Sequence, residues 1–231
     1  MSQSDQNMNS SYESFYAKRT GTRVYPTEFV VRTFLAQYPQ LHFDKPNRGD
    51  KVLDMAFGDG RNTVFLCDQG YDVHGLEITE GIVNQTQNRL ETMGYTADLR
   101  VGRNSSIPFT DNYFDYILAC HCCYYCDDSE TFADNMTEYA RVMKPGSWLI
   151  ASVAFRESYI FNDATECDDG SLRIKTDPYG NREGYRLHAF SNNEALQNYL
   201  SRWFCDFSFG FADNDYYGII EKVFWVVCRK V

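Results

Sequence analysis

In this 231-residue sequence, the stretch richest in chemical possibility is VLDMAFGDGRNT, Val52 to Thr63. An apolar run enters a glycine turn, and the turn opens into a segment of helical character. Gly58 and Gly60 tolerate positive φ and let a ligand approach backbone N–H groups. Asp54, near the end of the apolar run, is placed to face a ligand's ammonium or a loop amide. Two familiar nucleotide turns fit poorly. A dinucleotide turn of the form G-x-G-x-x-G needs a third glycine where Thr63 stands. A phosphate P-loop needs a Lys-Ser/Thr pair after its glycines, which is missing here. The remaining reading is a nucleoside that carries an amino acid.

Two further groups point to the same end of the fold. Glu77 closes YDVHGLE, 17 positions after Gly60, where a carboxylate can accept both hydroxyls of a ribose. That placement serves NAD equally well. The cluster CHCCYYC, Cys120 to Cys126, invites a metal reading. Zinc needs four converging ligands. Neighbours on a strand alternate faces, so Cys120 and Cys122 should point one way and His121 and Cys123 the other. No metal is expected. The cluster reads instead as the end of a strand, where open α/β sheets hold their ligands. His121, Cys122 and Tyr124 would then border the site. His121 is the first candidate for a general base and His188 the second, since imidazole titrates near neutrality.

These residues need a scaffold, and the sequence supplies an alternation. VLDMAF, YDVHGLEI, ADLRVG, DYILAC and SWLIASVAF read as strands. TVFLCDQG, TEGIVNQTQNRLETMG and SETFADNMTEYARVM read as helices between them. A helix is also expected within Tyr25 to Ala36, with Pro26 at its start. Such alternation predicts a mainly parallel sheet with helices on both faces. From about Arg156 to His188 the pattern breaks, and the stretch is too long for an ordinary connection. Ser191 and Glu194 then form a capping box for a helix, SNNEALQNYLSRWF. Two aromatic strands, CDFSFGFA and KVFWVVCR, close the chain, separated by NDYYGII.

Read together, these stretches resemble the class I, Rossmann-like S-adenosylmethionine-dependent methyltransferases of small-molecule type. Their first motif, roughly D-x-G-x-G-x-G, appears as Asp54, Ala56, Gly58 and Gly60, with Ala56 in place of the first glycine. GRNSSIPFTDNYFDYIL is similar to the family's G-D-A-x-x-L-P-F-x-D-x-x-F-D-x-V, and ARVMKPGSWLIAS to its K-P-G-G-x-L stretch. The resemblance covers about Asp50 to Ser152 and extends to the terminal strand pair. It implies a three-layer Rossmann-like sandwich: a seven-stranded, mainly parallel sheet, an antiparallel C-terminal pair and an insertion after the fifth strand. It implies one domain over 1–231: a cap segment at 1–48, a cofactor core at 49–154, an insertion or lid at 155–190, and closing elements at 191–231.

The implied activity is transfer of a methyl group from S-adenosyl-L-methionine to a small molecule by in-line displacement. The cofactor residues it implies are Asp54, Ala56, Phe57, Gly58, Gly60, Asn62, Thr63, Glu77, Ile78 and Thr79, then Asn104, Ser105, Cys120 and Cys122. Adenine recognition passes to Asn104 or Ser105, or to their backbone, because Arg103 stands where many members carry an acceptor. Tyr16, Tyr25, Tyr124, Tyr159 and Tyr185 are the expected substrate contacts. An NAD-dependent oxidoreductase and a non-catalytic partner subunit are the alternatives.

Composition narrows the partners. With 22 basic and 32 acidic residues the net charge is −10, a poor match for nucleic acid. Arg19, Arg23 or Arg182 could still line a site locally. The most apolar run, Val223 to Cys228, is far short of the ~20 residues of a membrane span. The N-terminus has no secretory pattern, and the eight cysteines, most of them in apolar runs, then read as reduced thiols of a cytoplasmic protein. The oligomeric state stays open, a homodimer included.

Overall fold

The computed structural model describes residues 3–19 and 23–231. Two helices, α1 (Gln3–Ala17) and α2 (Glu28–Leu35), precede the alternating core. The core runs β1 (Lys51–Met55), α3 (Arg61–Asp68), β2 (Asp72–Glu77), α4 (Glu80–Thr92), β3 (Asp98–Val101) and β4 (Phe114–Ala119). Then come β5 (Tyr125–Cys126), α5 (Phe132–Val142), β6 (Met143–Ala154), β7 (Thr165–Glu166), β8 (Leu172–Arg173) and β9 (Arg186–Leu187). The chain closes with α6 (Asn193–Leu200), β10 (Phe204–Tyr216) and β11 (Ile219–Lys230).

Seven strands form one sheet in the order β10-β11-β6-β4-β1-β2-β3. β1 pairs in parallel with β2 and β4, and β4 with β6. β11 runs antiparallel to both β6 and β10. This is the mainly parallel, seven-stranded Rossmann-like sheet with an antiparallel C-terminal pair that the sequence predicts. Strand alternation divides the core between the two faces. Leu53, Ile117 and Leu149 join one cluster with α5 and α6, while Val52, Leu118 and Ile150 join another with α2 and α3. Burial on both faces explains why these strands read as continuous apolar runs.

Several local expectations need correction. The helix in Tyr25–Ala36 starts only at Glu28, behind Thr27, so Pro26 lies before the N-cap. The N-cap of α6 is Asn192, not Ser191, and its side chain accepts from Ala195 N–H. Asn caps as well as Ser, so a one-residue shift costs nothing. A full capping box does exist elsewhere, between Thr131 and Asp134 at the start of α5. The last two strands are longer than expected, because only Tyr217 and Gly218 separate them, both at positive φ. The irregular stretch after β6 is also built: β5, β9, β8 and β7 form a second, four-stranded antiparallel sheet. Buried Arg186 ties it together, donating to the Asp127 and Asp128 carbonyls at 3.0 and 2.7 Å and pairing with Asp169.

Candidate active site

The turn after β1 shapes the floor of the site. Ala56 holds φ +52° and Gly58 φ +57°, and Gly60 at φ +77° serves as N-cap of α3. The ring of Tyr16, from α1, lies directly on Gly58: a Cβ there would come within 2.3 Å of the phenol oxygen. Glycine is required for that approach.

Glu77, at the end of β2, is buried. Its two carboxylate oxygens accept from Gly58 N–H at 3.1 Å and Ile78 N–H at 2.7 Å. Burial pushes its pKa up to about 7, against the pull of those two amides. Each oxygen retains a lone pair for a further donor.

A cavity of about 260 Å³ opens above this carboxylate. Ala56, Glu77 and Ile78 line it on the β1–β2 side, and Asn104, Cys120, His121 and Cys122 at the ends of β3 and β4. Tyr16 and Tyr185 face it from the cap and from the second sheet. These are nine of the residues expected from sequence. Tyr12, which the sequence also offers as part of a cap over the cofactor, lines it too, while Leu76, Gly102, Arg103, Tyr125 and Asp127 are lining residues that sequence reasoning did not single out. Arg103 donates to Asp127 at 2.7 Å and to Asn9 of α1 at 3.1 Å, so it holds the wall together. Tyr12, Tyr125 and Tyr185 pack edge to face, with 3.2 Å between the Tyr12 and Tyr125 hydroxyls.

Other expected residues lie off the cavity. Asp54 is buried beneath the turn, where it accepts from Thr63 Oγ1 at 2.7 Å, and burial raises its pKa to about 7. Asn62 accepts from Thr27 N–H and so anchors the entry to α2. Thr79 caps α4, Phe57 packs against Gly75, and neither Gly60 nor Ser105 borders the cavity. Gly58 lies under Tyr16 rather than open to the cavity. His188 stacks on Phe132 at 5.2 Å, packed also against Phe190 and Tyr199, away from the cavity. Tyr124 is buried in the core, and Tyr159 accepts from Arg182 at 2.7 Å. Tyr25 is 70 % exposed and borders a different depression. The common reason is that proximity in sequence to a strand end does not decide which way a side chain leaves the backbone.

The cysteine cluster shows this directly. β4 stops at Ala119, and His121 adopts φ +55°. The predicted strand alternation is therefore lost, and Cys120, His121 and Cys122 all reach the cavity wall. His121 N–H donates to Ser152 Oγ at 2.7 Å, which holds the bend. Burial lowers the imidazole pKa, so the ring is neutral at pH 7. Of the non-glycine residues at positive φ, Ala56 and His121 both line this cavity, as strained backbone at a ligand site does. All eight cysteines are unpaired, and burial pushes the Cys120 thiol up to about 11, so it stays protonated.

The donor set fits a nucleoside cofactor with an amino-acid tail. A buried carboxylate with spare acceptor capacity suits a ribose hydroxyl edge, and Leu76 and Ile78 offer apolar walls to a flat base. Comparisons with known proteins agree with this geometry. Residues 53–151 match the family described as the methyltransferase domain. A demethylmenaquinone methyltransferase of Tropheryma whipplei is 31 % identical over 103 residues, covering 44 % of this chain and 41 % of that protein. The chain spans only 50, 40 and 35 % of the length of the first curated relatives it matches. A SAM-dependent methyltransferase structure from Methanosarcina mazei superposes with a TM-score of 0.63 at 22 % identity, over 85 % of this chain and 99 % of that one. The Burkholderia thailandensis 1,6-didemethyltoxoflavin-N1-methyltransferase, solved with S-adenosylhomocysteine, gives 0.58 at 15 % identity, over 80 % and 72 %.

Proposed function

We propose that this chain, whose residues 53–151 form a methyltransferase domain of the class I, Rossmann-like type, is an S-adenosyl-L-methionine-dependent enzyme that methylates a small-molecule acceptor. The observation that carries the reading is Glu77: a buried carboxylate with spare acceptor capacity, facing a cavity at the end of β2. Glu77 would take the ribose hydroxyls, and Leu76, Ile78, Gly102 and Asn104 would surround the base. Asn104 is already committed, donating to the Cys122 and Tyr125 carbonyls and accepting from Tyr139, so it orients the wall as much as it reads a ligand. When bound, the cofactor supplies an electrophilic methyl on a sulfonium.

The chain's own contribution is orientation and proton removal. Cys120, His121 and Cys122 border the region where methyl and acceptor must align, and alignment alone accounts for several kcal/mol of barrier. His121, neutral and partly buried, takes a proton from a hydroxyl or ammonium acceptor. α1 covers the cavity through Tyr12 and Tyr16, so ligand exchange requires it to lift. The small-molecule acceptor is supported by the names of relatives that act on demethylmenaquinone and on a toxoflavin precursor. A cytoplasmic location accords with the unpaired cysteines and with the lack, among described residues, of any helix long and apolar enough to cross a membrane.

The test is thermal unfolding with S-adenosylmethionine, S-adenosylhomocysteine and NAD. The two sulfur nucleosides should stabilise the protein by about 2.7 kcal/mol at 100 times their Kd, and NAD should not. Stabilisation by NAD alone would replace this reading with an oxidoreductase. Once a labelled-methyl screen has found an acceptor, His121→Ala should lower kcat with little change in S-adenosylhomocysteine affinity. A fully active variant removes His121 as the base.

A further inference from the structure

Beside the Gly58–Gly60 turn lies a second depression of about 360 Å³, within the ~300–1,000 Å³ range of small-molecule sites. Arg19, Arg23, Arg61 and Arg89 converge there around one carboxylate, Asp59, with Tyr25 on the rim. In a chain of net charge −10 this convergence runs against composition. Arg19 and Arg61 hold Asp59 at 3.0 and 3.1 Å. Burial alone would raise the Asp59 pKa, but the two guanidinium groups keep it below the usual carboxylate range. Asp59 is therefore ionised and cancels one positive charge of the four, leaving a surplus of about three at full ionisation.

The other two arginines are not neutralised. Arg89, 8 % exposed, donates through Nη1 and Nη2 to the backbone carbonyls of Asp59 and Arg19, neutral acceptors that leave its charge in place. Arg23 has no hydrogen-bond or ion-pair partner among the described residues. A fixed, partly buried cationic surplus at the end of a cavity recognises an oxyanion, and guanidinium groups match phosphate geometry. This depression shares no lining residue with the cavity above Glu77, and the Tyr16 ring lies on the turn between them.

We propose that this arginine cluster is a second binding site, separate from the nucleoside cavity, for a phosphate group, either free or carried by a small phosphate monoester. The surplus suits a dianion better than a single carboxylate. The proposal does not depend on methyl transfer, and its test reads binding alone. Isothermal titration of the full chain with inorganic phosphate should show saturable binding. Arg23→Ala should weaken it at least fivefold without lowering Tm, because that side chain holds no structural partner among the described residues. Arg61→Lys, which keeps the charge and loses the fork, should weaken it less than Arg61→Ala.

Saturating S-adenosylhomocysteine should leave phosphate affinity within twofold. Phenyl phosphate distinguishes the sources: tighter binding than inorganic phosphate assigns the site to a monoester, and equal or weaker binding assigns it to free phosphate. Absence of phosphate binding up to 10 mM, or unchanged affinity in Arg23→Ala, overturns the proposal. Competition by S-adenosylhomocysteine overturns it too, by assigning the arginines to the cofactor's own carboxylate.

Discussion

The floor and the roof of the main cavity are made of different materials. The floor comes from residues close in sequence: the turn after β1, Glu77 and Ile78, held by backbone N–H groups on a buried carboxylate within a parallel sheet. The roof joins residues far apart. Tyr12 and Tyr125, which meet through their hydroxyls, are separated by 113 positions, and Tyr185 comes from the second sheet's approach to β9. Among the described residues, the roof's helix, α1, is held by side-chain contacts: Tyr12 on Tyr125 and Tyr185, Asn9 on Arg103, Tyr16 on Gly58, and Gln85 on the Tyr16 carbonyl at 2.8 Å. A floor of main-chain hydrogen bonds in a buried sheet is stiff. A roof of side-chain contacts opens at lower free energy, which a closed cofactor site requires.

The largest test of this contrast is Glu77→Ala. It removes the acceptor for a ligand's hydroxyls and leaves two amides without their partner. Charge-assisted hydrogen bonds are worth ~1.5–3 kcal/mol each, so S-adenosylhomocysteine affinity should fall about 100-fold. Unchanged affinity in calorimetry would show that the floor does not hold the cofactor.

Next comes the roof. Tyr16→Ala should speed S-adenosylhomocysteine dissociation about tenfold, because the ring closing on Gly58 is gone, while Tm moves by less than about 2 °C. Stopped-flow and thermal unfolding read the two quantities. A large drop in Tm would instead make α1 part of the rigid core and erase the contrast.

A pH series sharpens the comparison further. Glu77 rises from 4.5 to about 7 on folding and Asp54 from 3.8 to about 7. A raised carboxyl pKa means the folded state binds more protons than the unfolded one. The ligand-free protein should therefore lose stability as pH rises from about 4 to about 7, and Asp54→Asn should flatten that slope. Ribose hydroxyls donate to the ionised form of Glu77. Affinity for S-adenosylhomocysteine should thus rise several-fold between pH 6 and 8, and Glu77→Gln should abolish the trend. A flat profile in the parent chain would take Glu77 out of contact with the ligand.

The smallest effect concerns the strained turn. Ala56 at φ +52° carries a left-handed penalty of ~1–2 kcal/mol, partly offset in a glycine variant by ~0.5–1 kcal/mol of chain entropy. Ala56→Gly should raise Tm by about 2 °C with cofactor affinity unchanged. A lower Tm would mean that the methyl group packs usefully in the floor.

Legibility in sequence follows the same division. The glycine turn, Glu77 and the strand order could be read because each depends on contacts within a few residues, or on a pattern of apolar runs. His188 could not be read in the same way: only its stacking on Phe132 shows that it serves an aromatic core. Tyr124 and Tyr125 are neighbours, yet one is buried in the core and the other lines the cavity. Arg103 was set aside as a poor adenine acceptor, and the structure gives it another task in its pair with Asp127. The only sequence signal for Asp127 was its nearness to the CHCCYYC cluster. Arg19 and Arg23 could be read as a local basic lining, but nothing in the sequence joins Arg61 and Arg89 to them around Asp59.

The sequence by itself determined the alternating core, the glycine-bearing turn and the carboxylate at the end of β2. Those features follow from local φ preferences and from strands buried on both faces. Only the tertiary structure decided that β4 ends before the cysteine cluster, that a bend at φ +55° is what brings His121 to the cavity, and that Tyr125 joins Tyr12 and Tyr185 over it. Only it decided, too, that four arginines of an acidic chain surround Asp59. A side chain's direction at a chain bend depends on contacts made across the whole fold, and sequence spacing carries no record of them.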